Sequence, residues 1–577
     1  MYGIVAAAMA MPLAACAAVA PPRLDTSPGT DYLVFYATGG QGKALKAIET
    51  SGGRTLSTEP RLGYVVAHGV VASFLDTLGN DEAIVGISTD RPIGFTSAAT
   101  SRGWSSLHSE WAAGRTDTGR PSVAEGPFAP ARAAGPDVAP GLKVAPGKKV
   151  APGKKALEPL ASRQWDMKMI GADRAHAIAP GDKKVLVGVL DTGIDGKHPD
   201  IAPNFNRQLS RNFVTDRPKD PNGQPLDGAC EVTSCKDPVD VDDDGHGTHV
   251  ASTIGSPING KGIAGVAPNV QLVNLRTGQD SGMFFLKPTL DALTYAADNG
   301  IDVVNMSYYI DPWLFNCTNN KADSARERLE QRGIITGMQR AIDYARGKGV
   351  TLITALGNGS TDLGNPTKDD ESPNYPKNGQ RDRTIDNSCL NVPAESNGVI
   401  SISALGPSGR KAVYSDYGVE QTDLSAPGGD ALDGGGVSAT RSILAAVPTA
   451  VLRATNKIDA TGAPKTSEVV RDCQGGECSY YQYLDGTSMA APHATGVAAI
   501  LISRFGRPGP GGVALAPASL ERLLYSSATP KACPMPRAYK YRYFGQEETH
   551  LCEGDTAKNG FYGRGVVNAY KAATIAP

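Results

Sequence analysis

At roughly 100–200 residues per domain, a chain of 577 residues exceeds one ordinary unit. Lys and Arg total 57 against 59 Asp and Glu, a net charge of -2, which argues against a chain-wide basic surface and so against a nucleic-acid partner. A hydrophobic share of 40% with 20% charged residues excludes wholesale disorder. No run of about 18 apolar residues lies beyond the N-terminus, which excludes a polytopic membrane protein.

The first segment, Ile4 to Ala20, is apolar and small, too short for a membrane span and suited to the core of an export signal over residues 1–20. Within it, Leu13-Ala14-Ala15-Cys16 resembles the lipobox of bacterial lipoproteins, which implies lipidation of Cys16. The alternative is an ordinary secretory signal cut near Ala18-Val19-Ala20. No Lys or Arg precedes the core; the first basic residue is Arg23.

Residues 31–95 read as a small α/β unit. Strands are expected at Tyr32 to Ala37, Gly63 to Ala67 and Ala83 to Ile87, with helices from Lys43 to Ile48 and from Val71 to Leu78. That order suggests a split βαβ, ferredoxin-like module. From 96 to 160, Gly, Pro, Ala and Ser dominate. Val138-Ala-Pro-Gly-Leu-Lys143 is followed by Val144-Ala-Pro-Gly-Lys-Lys149 and Val150-Ala-Pro-Gly-Lys-Lys155, a low-complexity repeat too short for a solenoid. It reads either as a solvated linker or as a protease-accessible maturation region.

From 161 to 577 the pattern is α/β. Continuous apolar runs at Val185 to Leu190, Val270 to Leu275, Ile301 to Met306, Val350 to Ala355 and Val399 to Ala404 suit strands buried on both faces. Leu290, Leu293 and Ala296 mark one intervening helical face; Ile335, Met338, Ile342 and Ala345 mark another. The expected fold is a doubly wound, mostly parallel sheet with functional groups at the carboxyl ends of strands.

The chemistry-bearing blocks sit there. Asp191 ends the first run in Asp191-Thr-Gly-Ile-Asp195. His246 lies in Asp244-Gly-His-Gly-Thr-His249, and Ser488 in Asp485-Gly-Thr-Ser-Met-Ala-Ala-Pro492; each opens a helix of small residues. A serine hydroxyl needs a base, and the base needs a carboxylate to fix its tautomer and stabilise its cation. A serine at a helix N-terminus also has backbone N–H groups where an oxyanion forms.

In this order the blocks resemble the subtilisin-like serine peptidases. Gly265-Val-Ala-Pro268, Asn305-Met-Ser307, Gly357-Asn358-Gly359, Ser425-Ala-Pro-Gly428 and Tyr562-Gly-Arg-Gly-Val-Val-Asn568 extend the likeness over 161–577. The resemblance implies that Asp191 orients the histidine, His246 is general base and acid, Ser488 is the nucleophile, and the Asn358 amide completes an oxyanion hole with the Ser488 N–H. It requires no catalytic cofactor. His249, His198 and His493 read as structural, and His246-Gly-Thr-His249 has no third ligand motif to make it a metal pair. Such enzymes are commonly made with a ferredoxin-like propeptide that chaperones folding and inhibits until cut. Residues 31–95 suit that role, with maturation expected within 96–165, Lys154-Lys155 being one candidate site.

Departures from the family pattern concern substrate. Tyr308-Tyr309-Ile310 follows Ser307 where the family carries a small pair, so the S1 wall must differ. Insertions of about 311–332 and 361–389 border the cleft, as surface decoration or as a narrowing of it. Asp237, Asp240, Asp242, Asp243 and Asp244 read either as a solvated loop or as a cleft-edge patch attracting basic residues of the substrate. The EF-hand likeness at Asp240 fails because Ala251 stands at its twelfth position. Asp200 and Asn259 resemble positions that hold structural calcium in subtilisin.

There are nine cysteines. With Cys16 set aside, Cys230/Cys235, Cys473/Cys478, Cys533/Cys552 and Cys317/Cys389 form near pairs. Four disulfides is the natural reading for an exported chain, although eight cysteines allow 105 pairings. Zinc is disfavoured by the spacing. The expected function is an exported, monomeric serine endopeptidase acting on polypeptides through an acyl-enzyme and made as a zymogen. The alternatives are a dedicated processing protease for one exported substrate and an inactive binding lipoprotein. The unbroken residue set argues against the last.

Overall fold

The computed structural model describes residues 30–69, 73–89 and 158–576. The export segment with Cys16, residues 96–157 and the expected helix start at Val71 lie outside the described residues.

In the N-terminal unit, strands Thr30–Tyr36, Gly53–Glu59, Tyr64–Gly69 and Ile84–Thr89 form an antiparallel sheet. Their spatial order is second, third, first, fourth. Helices Gln41–Thr50 and Phe74–Leu78 connect them, giving the ferredoxin-like order. Period-2 alternation divides its side chains. Val34, Tyr36, Val65 and Ala67 pack on the unit's own helices. Leu33, Phe35, Tyr64 and Val66 join a core of the large unit. The strand Gly53–Glu59 was not expected, because only Leu56 in it is apolar and it lies at the sheet's edge.

The large unit is built on seven parallel strands. Across the sheet they run Leu424–Pro427, Val399–Leu405, Thr351–Ala355, Val303–Met306, Leu186–Leu190, Gln271–Arg276 and Arg211–Asn212. Leu186–Leu190, the first of these strands in the chain, is flanked by Gln271–Arg276 on one side and Val303–Met306 on the other, so its carboxyl end lies at a topological switch point. Val187, Val189 and Val303 face a core shared with helices His246–Gly255 and Thr487–Phe505. Leu186, Leu190, Val304 and Met306 face the opposite layer, where helices Leu286–Asp298 and Ala325–Gly347 pack. The N-terminal sheet lies over the second helix of that layer. Gly86 and Gly333 meet there so closely that a Cβ on Gly86 would stand 2.5 Å from Gly333 N.

Helix Ala325–Gly347 begins inside the first insertion, with Ser324 and Glu327 forming a capping box. Its buried isoleucines are Ile334 and Ile342; Ile335 is only partly buried. Cysteine pairs form at 230–235, 317–389, 473–478 and 533–552. The 317–389 bridge joins the two insertions. Fully buried Arg383 joins them again, donating to Asp323 Oδ2 at 2.9 Å and to Asp369 Oδ2 at 2.5 Å, with Trp313 against its guanidinium. Among the described residues no helix is long and apolar enough to cross a membrane.

Candidate active site

Asp191 follows directly on strand Leu186–Leu190 and is fully buried. Its Oδ1 accepts from Thr192 N and lies 2.7 Å from His246 Nδ1. A carboxylate that accepts here leaves Nδ1 protonated in either charge state of the ring, so in the neutral imidazole the lone pair is on Nε2. Among the described residues, the buried Nε2 has no hydrogen-bond partner.

The acidic run explains how His246 is held. Asp242 Oδ1 accepts from Gly245 N and Thr192 Oγ1, and its Oδ2 accepts from Thr248 N and Oγ1. Asp244 Oδ1 accepts from His246 N at 3.0 Å. These carboxylates satisfy the free N–H groups at the start of the helix. Asp240 pairs with Arg207 and Lys197, and Asp237 with fully buried Arg276. Asp237, Asp240 and Asp242 are therefore buried and internally engaged, which overturns the cleft-edge reading for these three. Asp243 and Asp244 remain partly exposed. Burial and neighbouring carboxylates push Asp243 up to about 6 and Asp244 to about 7.

Burial pulls the pKa of His246 down, but the charges of Asp191, Asp244 and Asp242 outweigh it and raise it to about 9. The site thus stabilises the imidazolium, as a base that must take a proton in a transition state requires.

Ser488 is the second residue of helix Thr487–Phe505 and is fully buried. Its hydroxyl donates to the Ser307 carbonyl at 3.2 Å rather than to His246. Ser307 Oγ donates in return to the Ser488 carbonyl at 3.0 Å. Asn305 Nδ2 donates to Ser307 Oγ, and Thr495 Oγ1 to Asn305 Oδ1. This chain ties the end of strand Val303–Met306 to the serine. Asn358 Oδ1 accepts from Thr487 N at 2.9 Å and Thr487 Oγ1 at 2.8 Å, which fixes the amide's orientation. A Cβ on Gly486 would lie 3.5 Å from Ser488 N and 3.7 Å from Asn358 Nδ2. Both nitrogens therefore border the same space beside the serine. The structure joins Asp191 to His246, and Ser488 to Asn358 through Thr487; it does not form a Ser488–His246 hydrogen bond. Sequence reasoning does not find Thr487, because its role is to aim another side chain.

The sequence model of the subtilase family matches residues 182–565. The chain belongs to the subtilase family. Fervidolysin of Fervidobacterium pennivorans is 27% identical over 360 residues, 60% of this chain and 39% of that protein. Epidermin leader peptide-processing serine protease EpiP of Staphylococcus epidermidis is 27% identical over 350 residues, 60% of this chain and 66% of that protein. The chain spans 55% of the thermophilic serine proteinase of Bacillus sp. (strain AK1), so it covers only part of several relatives. In fold it is similar to the crystal structure of EpiP from Staphylococcus aureus, at 20% identity and a TM-score of 0.55, over 95% of this chain and 98% of that one.

In this subtilase His198, His249 and His493 are internal. His249 Nε2 faces the carbonyls of Ile443 and Gln482, and burial lowers its pKa to about 3. His198 Nε2 faces the Tyr480 carbonyl. His493 Nδ1 lies 2.8 Å from the Met489 carbonyl and Nε2 3.1 Å from Asp166 Oδ2. Beyond Ser307, Tyr308 stacks on Phe284 at 4.0 Å, Tyr309 OH accepts from Asn374 Nδ2, and Ile310 N donates to the Val392 carbonyl. All three residues are buried, so this segment is a packed wall.

Asp200 is fully buried, and burial raises its pKa to about 8. Its Oδ2 accepts from Ile263 N and Tyr481 OH; its Oδ1 has no hydrogen-bond partner among the described residues. Buried Glu158 Oε2 likewise lacks one, while Glu158 Oε1 accepts from Gly260 N in the same loop. Asn259 donates from Nδ2 to the Pro199 carbonyl. Orphaned hard oxygens around one loop fit a structural calcium ion. Glu158 escapes sequence reasoning, because it sits at the end of the Gly- and Pro-rich stretch with no local signal of burial.

Proposed function

We propose that this subtilase is an exported serine endopeptidase that cleaves polypeptides through an acyl-enzyme. The observation that carries the reading is the buried imidazole held by Asp191 through Nδ1 with Nε2 unpartnered, on the same core as a helix-start serine whose N–H lies near the Asn358 amide nitrogen. In the reaction, Ser488 Oγ leaves the Ser307 carbonyl, gives its proton to His246 Nε2 and bonds to the scissile carbonyl carbon. The oxyanion is received by Ser488 N–H and Asn358 Nδ2. His246 returns the proton to the leaving amine, and water repeats the sequence to free Ser488. Labelling with a fluorophosphonate tests this. Wild type takes the label and Ser488→Ala does not; unlabelled, correctly processed wild type would sink the proposal.

The narrower reading is a dedicated processing protease for one exported peptide or protein. It is supported by the similarity to EpiP, whose name states leader-peptide processing, and by the packed wall after Ser307. Casein resistance together with turnover of a defined peptide would support it; rapid casein digestion would count against it.

The N-terminal unit serves in this proposal as folding chaperone and inhibitor, its docking on helix Ala325–Gly347 being the support. Maturation then falls upstream of Glu158. From there on the chain is bonded into the large unit: Gln164 to Ala264, Trp165 Nε1 to the Ser442 carbonyl, and Asp166 to His493. N-terminal sequencing of the mature protein tests this, and fractionation of cells tests a lipid anchor at Cys16. Calcium held by Asp200, Glu158 and Asn259 would brace the loop; a melting temperature indifferent to EGTA would argue against it.

A further inference from the structure

The turn at residues 357–361, which carries Asn358, is held from two sides. On the serine side, Thr487 fixes the Asn358 amide, and its hydroxyl accepts from Gly357 N at 3.1 Å. On the opposite side lies Asp416, which is 2% exposed and has no part in the triad. Its backbone N donates to the Gly357 carbonyl at 3.0 Å. Its carboxylate Oδ1 accepts from Thr361 N at 2.8 Å, and a Cβ on Gly359 would stand 3.3 Å from the same oxygen. Gly357 has φ +127, and a Cβ there would stand 2.1 Å from Asp416 Oδ2, so the carboxylate presses directly against the backbone before Asn358. Burial raises the pKa of this carboxyl to about 7; in the ionised form its hydrogen bonds are charge-assisted and about twice as strong as neutral ones.

We propose that Asp416 is a positioning residue for Asn358: its carboxylate clamps the backbone on both sides of the amide, so that Nδ2 stays aimed at the space it borders together with Ser488 N. Oxyanion stabilisation depends on donors that need no reorganisation when charge develops, and small displacements of a site lose much of their effect. This inference rests on the peptidase reading and names a further residue of the same site. Other bonds hold the turn to its neighbour independently. Ser360 N donates to the Tyr414 carbonyl and Tyr417 N to the Thr361 carbonyl, so removal of the carboxylate leaves the turn attached but less well aimed.

The test measures kcat and KM on one peptide substrate for the full chain carrying Asp416→Ala or Asp416→Asn, each in wild-type and Asn358→Ala backgrounds. In the wild-type background, Asp416→Ala should lower kcat by about tenfold with KM within about twofold. Asp416→Asn, which retains one acceptor oxygen, should lose about threefold. In the Asn358→Ala background both losses should vanish, because a residue acting only through Asn358 has nothing left to aim. Equal losses in both backgrounds, or no loss in wild type, would overturn the proposal. Where Asp416→Ala fails to accumulate, the Asp416→Asn variants in the two backgrounds decide between the same outcomes. If Asn358→Ala is itself harmless, the oxyanion reading fails, and this proposal with it. If Asn358→Ala is costly but the Asp416 effect is additive, only the positioning role fails.

Discussion

Two buried histidine–aspartate pairs stand on the two helices of one layer. His246 faces Asp191 at 2.7 Å, and His493 faces Asp166 at 3.1 Å. Both are buried, and both carboxylates come from segments distant in sequence. They differ at the second ring nitrogen. His493 has both nitrogens engaged, one by Asp166 and one by its own helix at Met489. His246 has one engaged and one unpartnered. A fully satisfied imidazole is a fastener. An imidazole satisfied on one side, and polarised there by a carboxylate, has a lone pair available for a substrate-derived proton. His249, which meets only carbonyls through Nε2, is held towards the neutral form by burial and shows what the absence of a carboxylate does.

The largest effect expected from this contrast is on turnover. His246→Ala or Ser488→Ala should lower kcat by about 10⁶-fold, whereas His493→Gln should stay within about tenfold when assayed well below its melting temperature. A comparable loss in His493→Gln would break the distinction. Next, Asn358→Ala should lower kcat by about 10²–10³-fold with KM little changed, separating the hole from either histidine. Stability follows. Asp166→Ala leaves a buried ring nitrogen of His493 without its partner and should cost about 1–3 kcal/mol, read as a lower urea midpoint with little change in kcat of the folded protein. The smallest effect concerns pH. Deprotonation of His246 limits activity from the acid side, so kcat/KM should rise with pH through a limb above 6.5 and towards 9. Asp244 adds negative charge that favours the imidazolium, so Asp244→Asn should move this limb to lower pH. A limb that stays still would show that Asp244 acts only as a helix cap.

Much of the site was legible because its parts announce themselves locally. The strand before Asp191 is a run of apolar residues, and the helices after His246 and Ser488 are written in small residues. Close spacing likewise pointed to the 230–235 and 473–478 pairs, and location in the two insertions to 317–389. The features that were not legible are polar. Strand Gly53–Glu59 needs little apolar content because it is an edge. Arg383 and Asp323 read as insertion surface, yet they pair in a dry interior that only the fold brings together. The acidic run before His246 looks like a solvated patch, because sequence shows charge but not Arg276, Arg207 or the helix start that absorbs it.

Leu329 of helix Ala325–Gly347 packs in the core of the N-terminal unit, among Val34, Ile48, Phe74 and Ile87. Folded units this small are marginal on their own, and this one borrows a core residue from its neighbour. Its own folding and its attachment are thus one thermodynamic event. While the linker is whole, the neighbour is present at a high effective concentration. If the chain between the two units were cut, as proposed, the same equilibrium would become bimolecular and fall under mass action. Dilution alone would then favour loss of the small unit, and a departed copy would leave without the residue that completed its core.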